Sequence, residues 1–481
     1  MKKYCSPIVI IIATITSSYL TARHKEAFSR SFMFTKPGYY TIVAEQALWH
    51  DITYNKKGSL RAGIQAIPFF QRSMNRSKSS RYFLFDDKNC LLVSGDNTRY
   101  RNTRNIPIRD VRAEWLGLNS DFSGIISVNP WQQQWGFIFE YSQDLKQWMN
   151  LPFVRDMYLS CILPIASVTN NLRLTQTEVS NPNTTFPHNL IEAFDQPGWS
   201  WGKIASCNKK RTEVAELKIL LGTSYESRDY LQVNYNSVLV IPISKKQDAE
   251  YLFSPVVGNN HHLGIGAALN IQALLNSDPT TVAFCFFLDL ESTILIRNHQ
   301  WRTFDLRDKP WSRFLLMNTL GAEPNTNVPG VNLLTRKATI KPFNVVDFAM
   351  GWRAKTKMVE CEFGWGIWGH GYERVDHIKD IPVVFGIAGS APGKTASRST
   401  IAQQAPDDAL NTFVPITLFD LDAQSGANAG ALNFRVFLST GIINIGHQED
   451  TIFGAGWSID IPYKNAALQV WNIWLKLGAT F

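Results

Sequence analysis

The sequence has little cysteine: six residues in 481, at positions 5, 90, 161, 207, 285 and 361. They are widely spaced, and no CxxC pair occurs, so neither a metal clip nor a disulfide framework is legible. Charge is also scarce, at 18% against 45% hydrophobic residues, which excludes a disordered chain. No internal apolar run approaches the ~20 residues that a spanning helix needs. Histidine offers no HxH or HExxH pattern, and the adjacent His261 and His262 would point to opposite faces of a strand. A G-x-S-x-G elbow is missing. Gly393-Lys394-Thr395 lacks the earlier glycine and the strand–helix setting of a phosphate loop. The expectation is a protein that is not an enzyme and that holds no metal and no cofactor.

Aromatic residues, by contrast, are abundant: 15 Trp, 15 Tyr and 29 Phe. The first 22 residues stand apart. Lys2 and Lys3 precede the apolar run Ile8 to Ile15, and small residues follow up to Ala22, which is the order of a secretory signal peptide. Cys5 precedes the apolar run, so a lipoprotein leader does not fit. Cleavage near Ala22 removes Lys2 and Lys3 and takes the formal charge from +8 to +6. An exported chain with no spanning helix leaves one membrane architecture open, a closed barrel, because lipid forces every backbone group to find an internal partner.

Strict alternation is the main signal along the rest of the chain. In VECEFGWGIWGH, Val359, Cys361, Phe363, Trp365 and Ile367 share one face, and Glu360, Glu362, Gly364, Gly366 and His370 share the other. In VVDFAMGWRAK, Val346, Phe348, Met350 and Trp352 oppose Asp347, Ala349, Gly351, Arg353 and Lys355. The KTKM between these runs reads as a hairpin turn. About fourteen strands are expected (12–16), near 62–71, 121–128, 133–143, 155–173, 213–223, 229–243, 260–273, 281–297, 344–355, 358–370, 381–389, 431–445, 451–461 and 466–481. Many reach ~10 residues, the span of a tilted membrane strand, whereas soluble strands average ~5–6. One face carries Gly, Asn, Gln and charges, as a wet interior would; the other is rich in large aromatics.

The chain ends LQVWNIWLKLGATF. Trp471, Ile473, Leu475, Leu477, Ala479 and Phe481 alternate with polar or small residues up to the last position. This resembles the terminal strand of Gram-negative outer-membrane β-barrel proteins, porin-like in pattern, with no characterised subfamily indicated. The resemblance implies that Trp471, Ile473, Leu475, Leu477 and Phe481 form a barrel-closing strand, which the outer-membrane assembly machinery reads. It implies an all-β transmembrane antiparallel barrel in the bacterial outer membrane, with membrane lipids and small solutes as partners.

The expected organisation is a signal peptide (1–22), an N-terminal periplasmic or lumenal segment (23–60), and a barrel (61–481) with long loops at 72–120, 175–212, 300–342 and 390–430. The helix-forming stretch within 40–52 can lie in the lumen or pack on a surface. Counting strands back from Phe481 puts 390–430 outside, as expected, but also puts the tight KTKM turn outside, which is unusual for a barrel. Residues 72–112 concentrate ten Lys or Arg against four Asp. An exported protein rarely meets nucleic acid, so a lipid headgroup, an anion-attracting vestibule or a solvated loop is expected there instead.

Pore-lining candidates on the polar face are Glu140, Glu216, Lys218, Asp289, Glu291, Asp347, Arg353, Lys355, Glu360, Glu362, His370, Arg435 and Lys476. Opposed charges across a pore would set up a transverse field that tunes ion passage; alternatively they pair and fill a plugged lumen. Glu360 and Glu362 are alternate residues of one strand face, and this pattern does not mark them as a catalytic pair. The reading is a channel for passive passage of small solutes. Two others stay open: a surface-exposed adhesin or structural barrel with a closed lumen, and a soluble secreted all-β binding protein.

Overall fold

The computed structural model describes residues 29–49, 62–74, 77–98, 101–102, 107–145, 157–180, 184–227, 231–276, 282–321, 327–342, 344–391, 393–410, 412–445 and 450–481. The expected leader, residues 1–22, lies outside them, as does Cys5.

Twelve strands close into one antiparallel ring. In chain order they are β1 (Ala62–Ser73), β2 (Trp131–Asp144), β3 (Met157–Asn171), β4 (Glu216–Ser227), β5 (Leu231–Pro242), β6 (Gly264–Leu274), β7 (Ala283–Leu295), β8 (Asn344–Lys355), β9 (Val359–His370), β10 (Ala431–Ile445), β11 (Asp450–Pro462) and β12 (Val470–Thr480). Their lengths, 11 to 15 residues, match or exceed the ~9–11 that cross a bilayer at a tilt. The last strand pairs with the first, from Gly63↔Thr480 to Ser73↔Val470. Phe481 and Ala62 exchange both backbone hydrogen bonds at 2.9 Å. Closure therefore uses the chain to its final residue and leaves no sheet edge there.

The count of about fourteen is corrected to twelve, with one short strand, Lys209–Val214, laid outside the ring on β3. The two surplus strands are real but belong elsewhere. Ser123–Ser127 pairs with Cys90–Ser94 and Thr175–Ser180; Phe385–Ile387 pairs with Leu316–Thr319. Both lie in long connections between ring strands. Removing 381–389 from the wall also moves the KTKM turn to the end of the barrel where Phe481 lies, the end that carries the short turns.

Alternation sorts the wall as oil outside and polar groups inside. Phe137, Phe139, Trp352, Phe363, Trp365, Leu475 and Leu477 are exposed on the exterior, and Glu140, Glu216, Arg353, Glu362 and Lys476 are buried within. The described parts of the segments 74–130, 172–215, 243–263, 296–343 and 371–430 meet at one end of the barrel in a cap with its own core. There Trp311 packs on Phe314 at 5.0 Å and on Phe194 at 5.7 Å, and Trp199 stacks on Phe314 at 5.4 Å. The described part of the basic stretch after Ser73 is folded into this cap, where four of its cations meet its own carboxylates. Arg112 and Arg109 both reach Asp96, at 2.7 and 2.8 Å, and Lys88 reaches Asp110 at 2.5 Å.

Candidate functional site

The lumen is occupied by the chain itself. Residues 29–49 begin in the cap, where Ser29 Oγ donates to Asp305 Oδ2 at 3.0 Å and Arg30 Nη1 donates to the Gln424 and Ala427 carbonyls at 2.9 Å. Phe34 then lies beside Trp368 and His370, at 6.5 and 5.6 Å, near the mouth. The segment descends through a short helix, α1 (Ile42–Gln46), and reaches the short-turn end at Trp49. Nearly all of these residues are buried. Of the helix-forming stretch 40–52, Ile42 and Trp49 are buried here, and residues 50–52 lie outside the described residues.

Glycine on the inner wall is what lets the plug fit. A methyl group on Gly441 or Gly454 would collide with Leu48 Cδ1. The glycine-rich polar face, read from sequence as wet, thus makes room for packed side chains.

Charged wall residues grip the plug at three levels. Nearest the cap, Lys36 Nζ meets Asp460 Oδ2 at 2.6 Å, and Arg435 bridges Asp460 Oδ1 at 2.9 Å and Asp347 Oδ1 at 3.0 Å. The Ile42 N–H donates to the other Asp347 oxygen at 3.3 Å. In the middle, Lys218 Nζ lies 3.0 Å from both Glu45 and Glu291. Tyr40 donates its hydroxyl hydrogen to Glu216 at 3.2 Å, and Asn259 Nδ2 donates to both of them. Lower down, Lys476 Nζ donates to the Glu45 and Ala47 carbonyls, and the Leu48 N–H donates to Glu360 at 3.2 Å. Uncharged groups join in: Gln134 Oε1 accepts from the Gly38 N–H at 2.7 Å.

Of the thirteen positions expected from sequence, twelve have buried side chains facing the interior: Glu140, Glu216, Lys218, Asp289, Glu291, Asp347, Arg353, Glu360, Glu362, His370, Arg435 and Lys476. Lys355 is half-buried near the short turns. Six of them hold the plug through side chains: Glu216, Lys218, Asp347, Glu360, Arg435 and Lys476. Arg353 instead pairs along the wall with Glu360 and Glu362, at 3.0 and 2.6 Å. Glu140 accepts from Gln65 at 2.5 Å, and Asp289 from Asn270 at 2.9 Å. His370 sits at the mouth with Nδ1 2.7 Å from the Gly371 carbonyl. Sequence reasoning missed Lys36, Tyr40 and Glu45, which lie in a segment without periodicity. It also missed Asp460, which the alternation of GAGWSIDI does place on the inner face.

Above the plug, His262 holds the cap to the barrel rim. Its Nδ1–H donates to the Ile296 carbonyl at 2.7 Å, and its Nε2 accepts from Gln300 at 2.8 Å. Burial pushes the imidazole down from 6.5 to about 4. The unfolded or opened cap therefore binds the extra proton first, and cap stability falls as pH drops from about 6.5 towards 4, by roughly 3 kcal/mol in total. Hydrogen exchange of residues 298–303, corrected for intrinsic rates, should rise steeply over that window in the native chain. In His262→Gln the rise should be absent.

No protein-family model matches this sequence, and no curated protein matches it. Among solved structures, similarity extends to an outer membrane channel from Pseudomonas putida F1, at 9% identity and a TM-score of 0.37, covering 88% of this chain and 97% of that one. The monoaromatic hydrocarbon channel TodX, as a deletion mutant, matches at 8% identity and 0.32, covering 90% and 93%. The translocator domain of the autotransporter NalP from Neisseria meningitidis matches at 6% identity and 0.28, covering 91% and 94%. These are similarities of low score to Gram-negative outer-membrane barrels.

Proposed function

We propose that the protein is a plugged channel of the bacterial outer membrane, which passes small polar solutes only when residues 29–49 leave the lumen. Membrane residence rests on the exterior: exposed Phe, Trp, Leu and Ile recur along the ring strands, the apolar surface that a lipid-facing barrel presents. The observation that carries the channel reading is the polar seam between plug and wall. A barrel built only to stay shut gains more from an apolar filling, since buried ion pairs contribute little net stability over well-packed hydrophobes. Charged contacts instead suit a segment that leaves and returns, because both surfaces are solvated once apart. The seam is matched to one occupant and is lined for water after it has gone.

The role is non-enzymatic, and the closing strand Val470–Thr480 with Phe481 is the part that the assembly machinery engages. A second reading, a surface-binding barrel with a permanently closed lumen, draws on the folded aromatic core of the cap. Accessibility of single cysteines in an otherwise cysteine-free background tests the plug. Glu362→Cys, on the inner face, should stay unlabelled by a water-soluble maleimide in the full chain. It should label at least ~10-fold faster once residues 29–49 are excised. Phe363→Cys, on the lipid face, should resist the reagent in both. Rapid labelling of Glu362→Cys in the full, folded chain would show an open lumen and end the plugged reading.

A further inference from the structure

The fourth ring strand is interrupted at Ala215. Its N–H donates to the Pro164 carbonyl at 2.9 Å, and its own carbonyl accepts from Ile243 and Ser244, at 3.3 and 3.1 Å. Upstream of this point Lys209–Val214 stays paired with β3 but has left β5. Side chains span the resulting gap: Arg211 Nη1 donates to the Lys246 carbonyl at 3.2 Å, and the Lys245 N–H donates to Glu213 at 2.9 Å. The splayed wall thereby sets two basic runs side by side, 209–211 and 245–246, at the long-connection rim. Lys337, opposite Trp301 in the neighbouring hairpin, adds a further cation.

We propose that Lys210, Lys245, Lys246 and Lys337 form a docking surface for the phosphorylated headgroup of an outer-leaflet glycolipid. This rests on the membrane reading above and adds to it a lipid class and a position on the barrel.

Charge balance at the patch points to an anion. The nearby carboxylates are engaged: Asp195 and Glu250 lie 3.9 and 3.8 Å from Lys203, Asp248 lies 3.8 Å from Arg211, and Glu213 accepts the Lys245 backbone. Among the described residues none of these four lysines has a carboxylate within ion-pair distance. Burial and the charge of Lys337 both hold the Lys246 ammonium below its ordinary value. A phosphate, carrying up to two charges, would offset that repulsion.

Placement favours a lipid over a soluble anion. Lys210 lies over the exterior Trp135 ring at 5.6 Å. The exposed Ile241 and Ile243 end the apolar band directly before Lys245. The patch therefore stands at headgroup height, with an aromatic ring beneath it of the kind that settles at a membrane interface. Trp201 and Trp301, stacked at 5.2 Å, flank it on the cap side.

Native mass spectrometry of the full chain in neutral detergent tests this, using a bisphosphorylated diglucosamine lipid and its dephosphorylated form. The wild type should retain the phosphorylated lipid selectively. Lys210→Gln/Lys246→Gln/Lys337→Gln should bind it on the order of a hundredfold more weakly, from roughly a fivefold contribution per lysine. The triple variant must keep heat-modifiable gel migration, which separates loss of lipid from loss of the barrel. Equal retention by the variant, or equal retention of the dephosphorylated lipid, overturns the proposal. Displacement of the lipid by millimolar inorganic phosphate alone would reduce the patch to a plain anion site and overturn it as well. If the wild type shows no heat modifiability in any detergent, the membrane reading fails and takes the lipid site with it.

Discussion

Full-length protein in a planar bilayer should give a closed baseline, and the chain lacking residues 29–49 should give stable current steps, larger by at least an order of magnitude. The basis is volume and charge together. Leu48 fills the space that Gly441 and Gly454 leave, and Trp49 lies against Gly63 and Gly478. With both gone, the inner wall presents acids and bases to water at every level. A deletion could compromise folding, so a second variant retains the segment and weakens its hold. Lys36→Met with Glu45→Gln removes the ion pairs to Asp460 and Lys218, at 2.6 and 3.0 Å, and should convert the closed baseline into brief openings. Steady current from the unmodified chain would contradict the plugged reading. A folded deletion variant that never conducts would contradict the channel and favour the surface-binding barrel.

The second large effect concerns Arg435. Its side chain is 1% exposed and joins Asp347, Asp460 and the Tyr40 carbonyl, while Lys36 reaches only Asp460. Arg435→Met leaves Asp347 buried with no cation at contact distance, a change expected to cost about 3–5 kcal/mol. Adding Asp347→Asn should restore most of that loss, because the orphaned charge goes with it. Arg435→Lys should fall between, since an ammonium cannot span both carboxylates with a fixed fork. The readouts are the thermal midpoint of the heat-modifiable band and hydrogen exchange at Tyr40 to Ala44. A change below about 1 kcal/mol in the single variant, in the range of an exposed pair, would mean that the interior is wet at that level.

Much of the wall could be read from period-2 alternation, and the buried inward placement of twelve of the thirteen candidates followed from it. Alternation identifies a strand but not the sheet it joins. Ser123–Ser127 and Phe385–Ile387 carry the same grammar as the ring and pair within the cap instead. The misplaced KTKM turn was the one trace of that miscount visible in the sequence, because parity along a closed ring leaves no freedom. The plug was hidden for a different reason. Residues 29–41 follow no period, since first the cap and then the lumen bury nearly all of them and no face of theirs looks to solvent. The abundance of inner-face glycine did register, but glycine suits a water-filled bore and a close-packed thread equally well until the occupant is seen. Lys36 and Glu45 acquire meaning only from Asp460 and Lys218, more than 170 residues away in sequence.

The course of residues 29–49 also constrains how the molecule is made. Ser29 lies at the capped end, Trp49 at the opposite end, and the wall begins only at Ala62, so the chain traverses the bore before the bore exists. When the final strand zips onto the first, it shuts around a thread synthesised long before it. Assembly with the leading segment already inside the unfinished cylinder spares it the lengthwise entry that the proposed plug makes each time it returns. A late-arriving thread would have to slide in lengthwise past every ionic rung.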